Sequence, residues 1–179
     1  MRTELLVDGH RWWRIADPSW ADPLDPTFAL ERGGRWNAPG SHPTLYLNED
    51  VVTARLNLRL FIEQMPYEPE DLREDSAPLL IGATLPRAQR VADAHSPEGL
   101  TALGLPTTYP RTGRRSGLVP HPTCQTIGSE VRTAGLRGVR ARSAQVADGA
   151  GRELAWFPAT VRSRAVQVAR LAFATWFWG

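Results

Sequence analysis

The chain has 179 residues, 42% hydrophobic and 22% charged, proportions of an ordinary folded domain that exclude a disordered or fibrous chain. Its single cysteine, Cys124, excludes an intramolecular disulfide and any cysteine-cluster metal site. The net charge of +2 hides a split: residues 1–86 carry 8 arginines against 14 carboxylates, residues 87–179 carry 13 against 5, and lysine is absent.

In chain order, residues 10–16 (HRWWRIA) alternate loosely and predict a strand. The three prolines of DPSWADPLDP predict an ordered loop, and GGRWNAPG adds glycines for unusual backbone angles. Residues 44–47 (TLYL) form a short strand candidate. The clearest helix is 50–65, with Val51, Ala54, Leu58, Phe61 and Met65 on one stripe, Asn48 or Asp50 as cap and Pro66 as the stop. An acidic, proline-broken loop follows, then a buried strand at 79–85 and a short helix starting at Ser96-Pro97-Glu98. Residues 108–122 predict a basic loop. Residues 123–134 predict a helix with Cys124, Ile127, Val131 and Ala134 inward, and strands are expected at 138–142, 153–157 and 163–171. Strands interleaved with short helices, without a linker, predict one α+β (mixed α/β) domain over 1–179.

Several chemistries are absent: there is no G-x-S-x-G elbow, P-loop or G-x-G-x-x-G. The four histidines are scattered, which argues against a zinc site, and Cys124 on an apolar stripe reads as core. No run of about 18 apolar residues is present to span a membrane, and MRTELLVDGH has no apolar leader, so the cytoplasm is the expected location. What remains is a set of arginines, hydroxyls, amides and carboxylates, suited to phosphorylated substrates. Arg35, between Gly33-Gly34 and Trp36-Asn37, either forks onto a diphosphate or bridges to a carboxylate. Arg14 shares a strand face with Trp12, opposite Trp13 and Ile15. Tyr46 either stacks on a ligand ring or packs in the core. Asn57 flanks the buried helical stripe, so its amide is satisfied by a neighbour or points into a polar cavity. Ser143, beside Arg140 and Arg142, binds phosphate or caps a turn. The RTGRR run at 111–115 has charge but no stacking platform beside it, so no nucleic-acid partner is expected. The aromatic end, LAFATWFWG, is either core or a surface for a homodimer or another partner.

The order WWRIAD, GGRWNAPG, LYLNED, GLRGVRARSA and RELAWF resembles the RES domain family from about residue 10 to 158. The most specific part is GGRWNAPG followed by Tyr46. The resemblance implies a fold similar to ADP-ribosyltransferases, and a bacterial toxin that degrades NAD+ by hydrolysis or phosphorolysis of the nicotinamide–ribose bond. Some relatives ADP-ribosylate proteins. The implied partner is an antitoxin with a helix-turn-helix region whose C-terminal part plugs the cleft. NAD+ is the implied substrate, with no metal. The family's arginine and serine fall on Arg35 and Ser143, a further arginine on Arg14 and its aromatic on Tyr46. The implied roles are a phosphate clamp for Arg14 and Arg35, stacking or ribose orientation for Tyr46, ribose binding for Asn57 and phosphate or nicotinamide positioning for Ser143. The family glutamate falls on Asn57, which keeps size and hydrogen bonding but lacks charge. That departure leaves two expectations: a toxin that works without this carboxylate, or a weakened domain that binds a dinucleotide or a partner. Glu49, at the helix cap, is not expected to substitute.

Overall fold

A computed structural model describes residues 1–146 and 149–179. Its frame is an eight-stranded sheet: β1 (Thr3–Leu5), β2 (Trp12–Ala16), β3 (Leu45–Asn48), β4 (Leu79–Thr84), β5 (Arg90–Ala94), β6 (Gly138–Arg142), β7 (Arg152–Trp156) and β8 (Val166–Leu171). The spatial order is β1-β5-β6-β7-β3-β2-β4-β8. All neighbours pair antiparallel except β5 and β6. Five helices accompany it among the described residues: α1 (Thr27–Arg32), α2 (Val51–Ile62), α3 (Pro97–Ala102), α4 (His121–Thr133) and α5 (Phe173–Phe177). The class is mixed α+β, as the interleaved pattern predicts.

Alternation along the strands assigns the two faces. Trp12, Leu45, Leu47, Ile81, Leu154 and Trp156 join one cluster. The opposite face is covered in two blocks. Helices α3 and α4 bring Leu100, Cys124, Ile127 and Val131 onto Ala92, Val139, Ala141 and Ala155. Helices α2 and α5 bring Ala54, Leu58, Ile62, Phe173, Trp176 and Phe177 onto Trp13 and Leu80. The polar residues Asn48, Ser143 and Glu153 are joined through the Asn57 side chain on α2.

Several boundaries differ from the sequence expectation. The α2 stripe is Ala54, Leu58 and Ile62, with Thr53, whereas Phe61 is exposed, because the face turns toward β2 and β3. Asp50, not Asn48, caps this helix by accepting from Thr53 N at 2.6 Å. Helix α4 starts two residues earlier than predicted, since Pro122 sits in its first turn, and Ala134 ends it as an exposed cap. The last strand is shorter than 163–171, because residues 161–163 form a 3₁₀ turn. The aromatic C-terminus is core: Phe173, Trp176 and Phe177 are buried on α2, Arg55 donates twice to Trp176 O, and only Trp178 is exposed among these aromatics. Elements β1, α1 and β5 fall in stretches that the sequence pattern leaves unassigned.

Candidate functional site

Neighbouring strands β2 and β3 stay paired at a single residue pair, Trp13 with Asn48, whereas β2 follows β4 through five. Where β2 and β3 part, a cleft of about 390 Å³ is lined from both sides, by Arg14 and Ile15 and by Tyr46, Leu47 and Asn48. The loop after α1 contributes Gly33, Gly34 and Arg35, α2 contributes Asn57, and β7 contributes Glu153. Trp20 and Phe28 form its rim, 39% and 53% exposed, with rings 6.0 Å apart. A second hollow of about 350 Å³ shares Arg14, Trp20 and Phe28 with the first. The groove is therefore two-lobed, with an arginine and two aromatic rings where the lobes meet.

Four of the five residues singled out from the sequence line this cleft: Arg14, Arg35, Tyr46 and Asn57. Arg14 is held over the Trp20 ring at 5.4 Å, and its buried Nε has no hydrogen-bond partner. Burial lowers its pKa to about 10, offset in part by Asp25 and Asp22, so it stays charged at neutral pH. Arg35 donates from Nη1 to Val119 O at 3.1 Å and lies 4.0 Å from Cys124 Sγ. Neither arginine takes part in an ion pair among the described residues. The bridging alternative for Arg35 is thereby removed. Cys124 is core, its thiol pKa pushed up by burial.

The loop carrying Arg35 is built around Tyr46. The phenol donates to Asn37 Oδ1 at 2.7 Å and accepts from Trp36 N at 2.8 Å. Gly34 lies against the ring so closely that a Cβ there would meet the phenol oxygen at 2.5 Å. Gly33 turns with φ +71° against Pro39. Tyr46 thus meets the cleft with its ring while its hydroxyl is committed inward.

Asn57 resolves its sequence alternatives in favour of both. Its Nδ2 donates to Asn48 Oδ1 and to Glu153 Oε1, each at 2.7 Å, and its Oδ1 accepts from Ser143 Oγ at 2.9 Å. Ser143 is fully buried and is not among the residues lining the cleft. It reaches the site through Asn57, and it caps a turn by accepting from Gln145 N at 3.2 Å. The arginines beside it are committed elsewhere. Arg140 forks onto Glu49 at 3.1 and 2.5 Å and reaches Glu4 at 3.0 Å, and Arg142 donates to His95 O, Thr107 O and Tyr109 O. Glu49, bound in this way, does not enter the cleft.

Sequence reasoning missed Glu153, Asn48, Trp20 and Phe28 as cleft residues. Glu153 stands directly across from Asn48 in the β3–β7 ladder and is the sole carboxylate lining the main lobe among the described residues. Desolvation raises its pKa above the usual carboxylate value, against the opposing pull of Ser143, Asn57 and Arg35. A signal is present in the sequence: RELAWF places a carboxylate on an apolar strand with period two, on the face opposite Leu154 and Trp156.

The family model of the RES domain matches residues 11–175. The chain belongs to the RES domain family. In fold it is similar to the crystal structure of the M. tuberculosis MbcT–MbcA toxin–antitoxin complex, with a TM-score of 0.73, 18% identity, and 95% of this chain and 90% of that one covered. No curated protein matches the sequence significantly. Among the described residues, no helix is long and apolar enough to cross a membrane.

Proposed function

We propose that this RES domain is the toxin of a toxin–antitoxin module and degrades NAD+ by cleaving the nicotinamide–ribose bond. The observation that carries the reading is the pair Arg14 and Arg35, both lining one cleft and neither in an ion pair with a described carboxylate. Unpaired guanidinium groups beside a desolvated hollow favour an anion, and a diphosphate offers each fork an oxygen pair. The lobes joined at Arg14, Trp20 and Phe28 suit a molecule with two ring-bearing halves and charge between them. The resemblance of the motifs around Arg14, Arg35, Tyr46 and Ser143 to the family's names that molecule as NAD+.

The proposed partner is an antitoxin with a helix-turn-helix region, and the toxin–antitoxin neighbour in fold supports a protein partner of this kind. The exposed Trp20 and Phe28 give such a partner an apolar edge to cover while it fills the groove.

The test is NAD+ loss and nicotinamide release over time by the purified protein, with and without inorganic phosphate, beside Arg35→Ala. Release is expected from the wild type. Removing one of two clamping charges should lower kcat/KM by about 10²-fold or more. Phosphate dependence distinguishes phosphorolysis from hydrolysis, and label transfer to protein would indicate ADP-ribosylation instead. Binding of NAD+ without any release at high protein concentration would overturn the catalytic reading and leave a binding domain.

A further inference from the structure

The reaction proposed above leaves positive charge on the ribose as nicotinamide departs, and a carboxylate beside that carbon lowers the barrier. Asn57 cannot supply it. We propose that Glu153, on β7, is the catalytic carboxylate of this chain, with Asn57 and Ser143 as the residues that position it; the assignment rests on the NAD+-cleaving reading.

Three observations carry it. Glu153 is the sole described carboxylate on the main lobe of the cleft that also holds Arg14 and Arg35. It forms no ion pair among the described residues, although the charge of Arg35 acts on it. Its bond from Asn57 Nδ2 is aimed by a relay, because Ser143 Oγ fixes the amide orientation by donating to Asn57 Oδ1 at 2.9 Å. A carboxylate desolvated in a cleft and held by an amide rather than by an ion pair is a candidate working group. Glu153 thus brings a carboxylate to the cleft within one hydrogen bond, 2.7 Å, of the Asn57 amide.

In the proposed step, the bond between ribose C1′ and the pyridinium nitrogen breaks, and both its electrons stay with nitrogen, so nicotinamide leaves neutral. The charge on C1′ faces the Glu153 carboxylate until an oxygen of water or phosphate bonds to that carbon. In hydrolysis the proton lost by water passes to Glu153 and from there to solvent.

Steady-state nicotinamide release by wild type, Glu153→Gln, Glu153→Asp and Arg35→Ala, each with a melting temperature and a pH–rate profile, tests the assignment. Glu153→Gln should lower kcat about 10²–10³-fold with KM for NAD+ within about threefold, lose the acid limb of the profile, and melt no lower than wild type. Glu153→Asp should retain more activity than Glu153→Gln and keep an acid limb. If Glu153→Gln keeps wild-type kcat while Arg35→Ala loses it, the assignment falls and the NAD+ reading stands. The assignment falls likewise if Glu153→Gln only raises KM or only lowers the melting temperature. If the wild type releases no nicotinamide, both fall together.

Discussion

At the scale of single residues, the contact between Asn57 and Glu153 decides what substitutions do. Asn57→Glu looks from the sequence like a restoration, but it would face a second carboxylate where the amide now donates at 2.7 Å. Two carboxyl groups at that distance cannot both ionise freely. We expect Asn57→Glu to give no gain in nicotinamide release and to lower the melting temperature near neutral pH, as kinetics and thermal unfolding would show. Glu153 has its own pH signature. Its folded pKa is raised, so the folded state binds the proton more tightly than the unfolded chain, where the value is about 4.3. The resulting stability is complete below the ordinary carboxylate range and is lost as pH rises through the folded pKa. Glu153→Gln, which stays neutral, should therefore melt higher than wild type at about pH 7.5, with the advantage gone by about pH 4; thermal unfolding across pH checks this.

At the scale of elements, the loop of residues 33–37 is held by a strand residue rather than by its own turns. Tyr46 on β3 supplies the acceptor for Trp36 N and a donor for Asn37, and Asn37 Nδ2 donates onward to Ala29 O at 2.6 Å and His42 O at 3.3 Å. Tyr46→Phe leaves a buried N–H without its partner, a cost of about 1–3 kcal/mol. It should lower stability by that amount in urea unfolding and raise KM for NAD+, because Arg35 rides on the same loop. Much of this level is legible in the sequence: α2 and its Asp50 cap, though the helix ends at Ile62 rather than running to Met65 and Pro66, and the four cleft residues Arg14, Arg35, Tyr46 and Asn57. What is not legible has physical reasons. Strand β5 reads RVADA, where Asp93 interrupts the apolar pattern, yet that carboxylate is buried because Ser96 and His95 donate to it. Helix α1 has six residues and no side-chain cap, too short for periodicity to show. Glu153 is hidden because a carboxylate in a short strand carries no sign of the amide across from it; Asn48 and Asn57 come together with it only through the ladder and α2.

At the scale of the whole molecule, the charge split along the chain is undone by topology. In the sheet order β1-β5-β6-β7-β3-β2-β4-β8, three strands of the basic half (β5, β6, β7) lie between β1 and the β3-β2-β4 block of the acidic half, and β8 of the basic half closes the other edge. Glu4 and Glu49 of the first half consequently neutralise Arg140 of the second, and Asp22 approaches Arg164 at 3.9 Å. Glu4, Asp93 and His95 also converge within 4.8 Å, but Arg2 pairs with Asp93 and Arg140 with Glu4, so this cluster already has its cations. The same interleaving gathers the site, since the arginines come from the first half and the carboxylate from the second. On the proposed reading, this one cleft holds a dinucleotide with its diphosphate on Arg14 and Arg35 and its nicotinamide ribose at Glu153. A crystal structure of Glu153→Gln with NAD+ bound tests it most directly. Diphosphate oxygens are expected within hydrogen-bond reach of both guanidinium groups, with the nicotinamide ribose against residue 153. Electron density for NAD+ outside the cleft, or for the diphosphate on the arginines of residues 111–115, would contradict it.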